Sequence, residues 1–313
     1  MKLKNEKVFI TGGAGFLGRN IIKRIYDNNE ITVYSRDEAK HYYLGKLYPK
    51  IRFVVGDIRN QDLLTRAARN HTIGIFAASL KQIEACEKNP SEATQVIING
   101  ALNSKRAAED NEFKSACFIS SDKSRAATTV YGAMKYVAGE SFILNTKECK
   151  TKFSTAIYGN VLNSTGSIIP LMWNAIKLDM ELPLYSDQMT RFFLTVDEAI
   201  DLVDVALELD GVNVIPKAKS ARIGDLFQIF SERFGLRYRI EQPRAGEKIH
   251  EIMASNEELS RMNLLTKKNV YIMDPKRQFE TVSFPSGEFS SQDVCMTKKD
   301  LEHLLESHDF YRQ

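Results

Sequence analysis

The chain has 313 residues, 43% hydrophobic and 27% charged, with eight prolines, a composition that fits a folded globular protein and excludes disorder and collagen-like repeats. At this length a single hydrophobic core stops growing, so a large domain with a smaller companion is expected. Lysine and arginine number 43 against 40 acidic residues, a net charge of +3 with no long basic run, so nucleic acid is not an expected partner.

The four cysteines, Cys86, Cys117, Cys149 and Cys295, form no C-x-x-C pair. That spacing suggests neither a metal site nor a disulfide framework, and it fits a reduced, cytoplasmic setting. No signal-peptide core follows Met1, and no stretch approaches the roughly 20 apolar residues of a bilayer span, so no membrane association is expected.

Short β-branched runs at 7–11, 31–34, 51–55, 73–78, 115–119 and 153–158 alternate with helical stretches at 16–27, 91–111 and 131–147. This alternation predicts an α/β fold with a doubly wound parallel sheet. After Tyr158 the pattern breaks into GNVLNSTGS, followed by a helix at 168–178. A helix at 196–209 and a strand at 212–215 return to the sheet, whereas 218–313 holds short mixed elements. The expected division is a cofactor-binding domain of 1–165 and 192–217, with a discontinuous substrate-binding domain of 166–191 and 218–313. The polar stretch 284–293 (FPSGEFSSQD) reads as a surface loop.

Gly12, Gly15 and Gly18, with Phe16 and Leu17 between them, follow the first strand and open the first helix. Such glycines allow a tight turn and a close backbone approach to a pyrophosphate, which the helix N-terminus attracts. A glycine-rich turn without a ligand would read the same way, but the strand-turn-helix context favours a dinucleotide. The second strand ends in Ser35-Arg36-Asp37, with Lys40 following, where an NAD enzyme would place an acid. Arg36, Lys40 and Ser35 suit a 2′-phosphate, so NADP is expected; the competing reading makes Arg36 and Lys40 solvated charges at a helix start. Asp57 and Ile58 stand where such folds frame the adenine.

Tyr131 and Lys135 form a Y-x-x-x-K pair, about 6 Å apart on one helix face. An ammonium there would lower the tyrosine pKa toward that of a general base. The strand at 115–119 runs into Ser120-Ser121-Asp122-Lys123, at the sheet edge where ligands bind. An acid beside an amine can divide an elimination, one group removing a carbon-bound proton while the other protonates a leaving hydroxyl; a surface Asp-Lys pair at a loop is the bland alternative.

Taken in order, TGGAGFLG, YSRDE, GDIR, SSDKS, VYGAMK, YGNVLNSTGSIIP, MTRFFLT and RAGEKIHE resemble the UDP-N-acetylglucosamine 4,6-dehydratases of the extended short-chain dehydrogenase/reductase family, over about residues 5–255. The resemblance implies a Rossmann-type domain, NADP as cofactor, UDP-N-acetylglucosamine as substrate and pairing of subunits into a homo-oligomer. It implies catalysis by Asp122, Lys123, Tyr131 and Lys135, with Ser121, Asn160, Ser167, Arg191 and Arg244 on the nucleotide-sugar. Ala77 and Ala78 would wall the nicotinamide. Tyr131 would take the carbon-4 hydroxyl proton as hydride leaves for NADP, Lys123 would remove the carbon-5 hydrogen, and Asp122 would protonate the carbon-6 hydroxyl. Carbon 5 is expected to invert, because the membrane-anchored retaining relatives typically carry methionine in place of Tyr131. Lys123 is expected to be neutral through burial beside Lys135. The chain departs from the family at Phe76-Ala77-Ala78-Ser79 and at Ser124 to Ala127, and its tail after about residue 265 has no evident counterpart. A carbon-4 epimerase, a 5,6-dehydratase and a non-catalytic NADP sensor are the competing readings.

Overall fold

The computed structural model describes residues 1–144, 149–244 and 246–311. In chain order the first half runs β1 (Lys7–Thr11), α1 (Phe16–Ile25), β2 (Glu30–Ser35), α2 (Glu38–Leu47), β3 (Arg52–Val55), α3 (Gln61–Ala67), β4 (Ile73–Phe76), α4 (Ile83–Lys88), α5 (Pro90–Thr94), α6 (Gly100–Asp110), β5 (Ser115–Ile119), α7 (Val130–Ile143) and β6 (Lys152–Ala156). The second half runs β7 (Asn160–Val161), α8 (Ile168–Lys177), β8 (Glu181–Leu184), β9 (Thr190–Leu194), α9 (Val196–Glu208), β10 (Val212–Pro216), β11 (Lys219–Arg222), α10 (Ile223–Phe234), β12 (Arg237–Ile240), β13 (Ile252–Ala254), α11 (Asn256–Leu259), β14 (Met262–Leu265), β15 (Val270–Met273), β16 (Phe289–Ser290) and α12 (Lys298–Ser307). The helix expected over 91–111 is α5 and α6 joined by a π-turn at Gln95–Asn99. The helix expected over 131–147 is α7, and residues 145–147 lie outside the described residues.

A nine-stranded sheet has the order β14-β15-β10-β6-β5-β4-β1-β2-β3, parallel in every pair from β10 to β3. A parallel sheet must be covered on both faces, and alternation along each strand feeds both cores. Phe9 joins Phe76, Phe118, Phe142 and Phe153 on one face, while its neighbours Val8 and Ile10 join Ile21, Ile75 and Val203 on the other. The order reverses between β1 and β4, which opens a crevice at the carboxyl ends of the strands. A smaller core packs α8, α10 and α12 around Phe227, Phe230 and Leu301. Among the described residues no helix is long and apolar enough to cross a membrane.

Two expectations change. β15 pairs antiparallel with β10, Asn213 opposite Met273, and β14 pairs with β15, so 262–273 extends the main sheet although the sequence put it in the smaller unit. The hairpin covers what would otherwise be an open parallel edge. The stretch 284–293 is also more than a surface loop. Phe289, 1% exposed, stacks on Phe284 at 4.6 Å and meets Phe192 and Tyr271 at 5.3 and 5.5 Å, while β16 pairs with β13. Its Ser-Gly-rich flanks hid a two-residue strand. Truncating such a ring leaves a cavity, so Phe289→Ala is predicted to cost about 3–5 kcal/mol in a denaturant titration; a loss below about 1 kcal/mol would contradict its place in the core.

Candidate active site

The cofactor cradle is built by close backbone packing. Gly12 has φ +70°, its N–H donates to Tyr34 O at 3.0 Å, and a Cβ there would lie 2.9 Å from Ala78 N. Gly18 lets α1 sit on the turn, since its Cβ would fall 2.5 Å from Gly13 Cα. Gly15 caps α1 without a side chain, and the first turn has no acid. The leading N–H groups are therefore left for an anion, which is what a dinucleotide pyrophosphate supplies.

A cleft of about 840 Å³ runs from this turn across the carboxyl ends of the strands. Gly12, Gly15, Phe16, Leu17 and Gly18 line its floor, and Ser35, Arg36, Lys40, Asp57 and Ile58 line one end. Ala77, Ala78, Tyr131 and Lys135 line the middle, with Ser121, Lys123, Asn160 and Ser167 beyond. Lys40 is drawn to Asp37 at 2.6 Å, and Ser35 Oγ lies 2.6 Å from His41 Nε2. Arg36 is less committed than Lys40, 61% exposed at its side chain and 3.9 Å from an Asp57 carboxylate that Arg59 already holds at 2.6 Å.

The candidate reaction centre hangs from the end of β5. Thr129 caps α7 by accepting from Gly132 N at 3.1 Å, and a Cβ on Gly132 would fall 2.2 Å from Lys123 O. Glycine at 132 thus lets α7 rest on the turn Asp122–Ser124, which seats Tyr131 against it. Asp122 is fully buried; its Oδ1 accepts from Ser121 Oγ at 3.0 Å and from Lys123 N at 2.9 Å, and lies 3.3 Å from Lys123 Nζ, while Oδ2 has no partner. Burial pushes its carboxyl up despite the Lys123 charge, which makes it a readier acceptor for a proton from that amine.

The two lysines have exchanged their expected states. Lys123 is not beside Lys135: its Nζ lies 3.3 Å from Asp122 Oδ1 and 3.3 Å from Glu251 Oε1. Burial alone would neutralise it, but the two carboxylates outweigh burial and hold the ammonium above the usual lysine range. Lys135 donates to Ile119 O at 2.9 Å and sits 4.8 Å from the centre of the Phe118 ring. Burial pulls it down to about 7. Burial also pushes Tyr131 up to about 12, and the charge that opposes this belongs to Lys123, not Lys135.

The two arginines fall in different places. Arg191 is 5% exposed and lines neither pocket; it donates to Thr190 O at 2.8 Å and Ile249 O at 3.2 Å, and pairs with Glu247 at 2.7 Å and Glu251 at 3.5 Å. Its donors are spent on the wall of the site. Arg244 lines a second pocket of about 170 Å³, which Lys123 borders too, and bonds Glu84 at 2.7 Å and Glu247 at 2.9 Å. Sequence reasoning missed Glu251 although it closes the RAGEKIHE motif, because its charge partners come from distant strands.

The parallel sheet with its switch point, the glycine cradle and the Tyr131-Lys135 helix define an extended short-chain dehydrogenase/reductase. A sequence profile described as polysaccharide biosynthesis protein matches residues 8–273, and the chain belongs to that family. It is 32% identical over 287 residues to a Campylobacter jejuni protein named UDP-N-acetylglucosamine 4,6-dehydratase (inverting), covering 88% of this chain and 84% of that one. It is also 32% identical to a Rickettsia akari protein named UDP-glucose 4-epimerase, over 82% and 80% of the two chains. The crystal structure of Pen from Bacillus thuringiensis superposes with a TM-score of 0.91 at 27% identity, covering 99% of each chain. The tail after 265 therefore has a structural counterpart.

Because the Lys135 value of about 7 lies below its unfolded value of 10.5, the folded protein carries a penalty that is full below about pH 7 and fades as pH rises toward 10.5. Lys135→Met is predicted to raise the melting temperature at about pH 6, with a gain that shrinks by about pH 9. A gain independent of pH would contradict the buried, proton-poor amine.

Proposed function

We propose that this protein is an NADP-dependent UDP-N-acetylglucosamine 4,6-dehydratase that inverts carbon 5, and the observation that carries this reading is the ion pair of buried Asp122 with half-buried Lys123 beside Tyr131. The main sheet carries the cofactor and the smaller unit closes over the sugar nucleotide. A cytoplasmic setting and a homo-oligomer belong to the same reading, the latter supported by Tyr136 and Val137 exposed on α7.

When bound, the nicotinamide supplies a reversible acceptor for the carbon-4 hydrogen, so no reductant is consumed. Tyr131 takes the carbon-4 hydroxyl proton; burial holds its phenol up at about 12, and the nearby Lys123 charge opposes that rise. The ketone formed at carbon 4 acidifies the hydrogen on carbon 5. The Lys123 ammonium passes its proton to Asp122 Oδ1, 3.3 Å away. The neutral amine then removes the carbon-5 hydrogen, Asp122 protonates the hydroxyl leaving carbon 6, and the alkene regains the carbon-4 hydrogen at carbon 6 and a proton from water at carbon 5 on the opposite face. Ser121 fixes Asp122, Asn160 and Ser167 face the sugar, and Ser167 Oγ is buried without a partner. Arg244 meets the diphosphate, whereas Arg191 fixes the wall behind Lys123.

The 4-epimerase reading draws on the relatives of that name, such as the one from Rickettsia akari. An epimerase has no leaving hydroxyl to protonate, so it gives Asp122 nothing to do. Incubation with UDP-N-acetylglucosamine and no added reductant separates the two. Mass spectrometry should find a product lighter by one water, and an unchanged mass with a new carbon-4 configuration would replace this reading with epimerisation.

Arg36 grips the 2′-phosphate of NADP. Arg36→Ala is predicted to weaken NADP by about 1.5–3 kcal/mol, as expected for a charge-assisted bond, and to leave NAD nearly unchanged in calorimetry. Equal losses for both cofactors would place the phosphate elsewhere.

A further inference from the structure

Glu251 is the second carboxylate on the Lys123 amine. It is 4% exposed; its Oε1 lies 3.3 Å from Lys123 Nζ and 3.5 Å from Arg191 Nε, and its Oε2 lies 3.9 Å from Lys248 Nζ. Its backbone is fixed as well: Glu251 N donates to Ser291 Oγ at 2.8 Å, and Glu251 O accepts from Ser291 N at 2.8 Å. Arg191 is itself pinned by Thr190 O and Glu247, so it offers the Glu251 carboxylate a fixed cationic partner through Nε at 3.5 Å. A rigid carboxylate aimed at a catalytic amine does more than fill space.

We propose that Glu251 is a positioning residue for Lys123, fixing the amine between two carboxylates and setting its protonation state. The proposal deepens the dehydratase reading, since an amine that must accept the carbon-5 hydrogen has its working pH range set by this partner. The groups facing Lys123 are Asp122 from its own turn, Tyr131 from α7, Arg191 from β9, and Glu251 with Lys248 from the segment before β13. Of these, Glu251 and Asp122 favour the charged amine most, and only Glu251 also bonds Arg191.

Competitive labelling with acetic anhydride across a pH series, read at Lys123 by peptide mass spectrometry, tests this in wild type, Glu251→Gln and Glu251→Asp. Glutamine keeps the shape and removes the charge, so the labelling midpoint should fall by about one unit or more, whereas aspartate should stay near wild type. An unchanged midpoint in Glu251→Gln overturns the proposal. The alkaline-requiring limb of water release from UDP-N-acetylglucosamine should move to lower pH in parallel; a purely structural role would lower the rate at every pH and leave the limb in place. If wild type releases no water, the dehydratase reading fails while the labelling still decides the role of Glu251. If Glu251→Gln does not fold, wild type alone decides: Lys123 should label at higher pH than the exposed Lys2, and a midpoint at or below that of Lys2 overturns the proposal.

Discussion

A lysine paired with two buried carboxylates at the wall of the cleft is the constraint around which this protein is arranged. Burying a charge is costly unless it is paired, and removing one partner leaves the other stranded. Asp122 and Lys123 come from the end of β5, Arg191 from β9, and Glu251 from the segment before β13. The cluster joins segments far apart in the sequence, so the ion pairs tie its geometry to the fold.

The same constraint gives two lysines opposite characters. Lys135 faces Phe118 and a backbone carbonyl, with no carboxylate in hydrogen-bonding contact, so burial prevails and its charge is disfavoured. Lys123 faces two carboxylates, so pairing prevails over burial. The charge that eases ionisation of Tyr131 consequently comes from the turn after β5 and not from the next turn of its own helix. Helix spacing placed Tyr131 and Lys135 on one face, but spacing says nothing about which way an amine turns once it is inside.

Local patterns made most of the main sheet legible. The run at 7–11, the glycines after it and the helix from Phe16 repeat what β1 and α1 show, because strand alternation and glycine turns are written in adjacent residues. What escaped was set by contacts between distant segments. The hairpin β14-β15 joins the sheet only because β10 offers an edge, and Phe289 is buried only because Phe192, Tyr271 and Phe284 converge on it. Glu251 stood inside a motif that was read, yet its meaning depends on Lys123 and Arg191, which adjoin it only in three dimensions. Arg191 looked like a phosphate ligand for the same reason, since a sequence does not show that its donors are already engaged.

In the proposed dehydration one active site removes hydrogen from carbon 4, eliminates water across carbons 5 and 6, and restores hydrogen at carbon 6. A single turnover with UDP-N-acetylglucosamine carrying deuterium on carbon 4, followed by NMR of the product, tests it directly. The account predicts deuterium in the new carbon-6 methyl group and its absence from carbon 4. Deuterium retained at carbon 4, or returned there with inverted configuration, would contradict it.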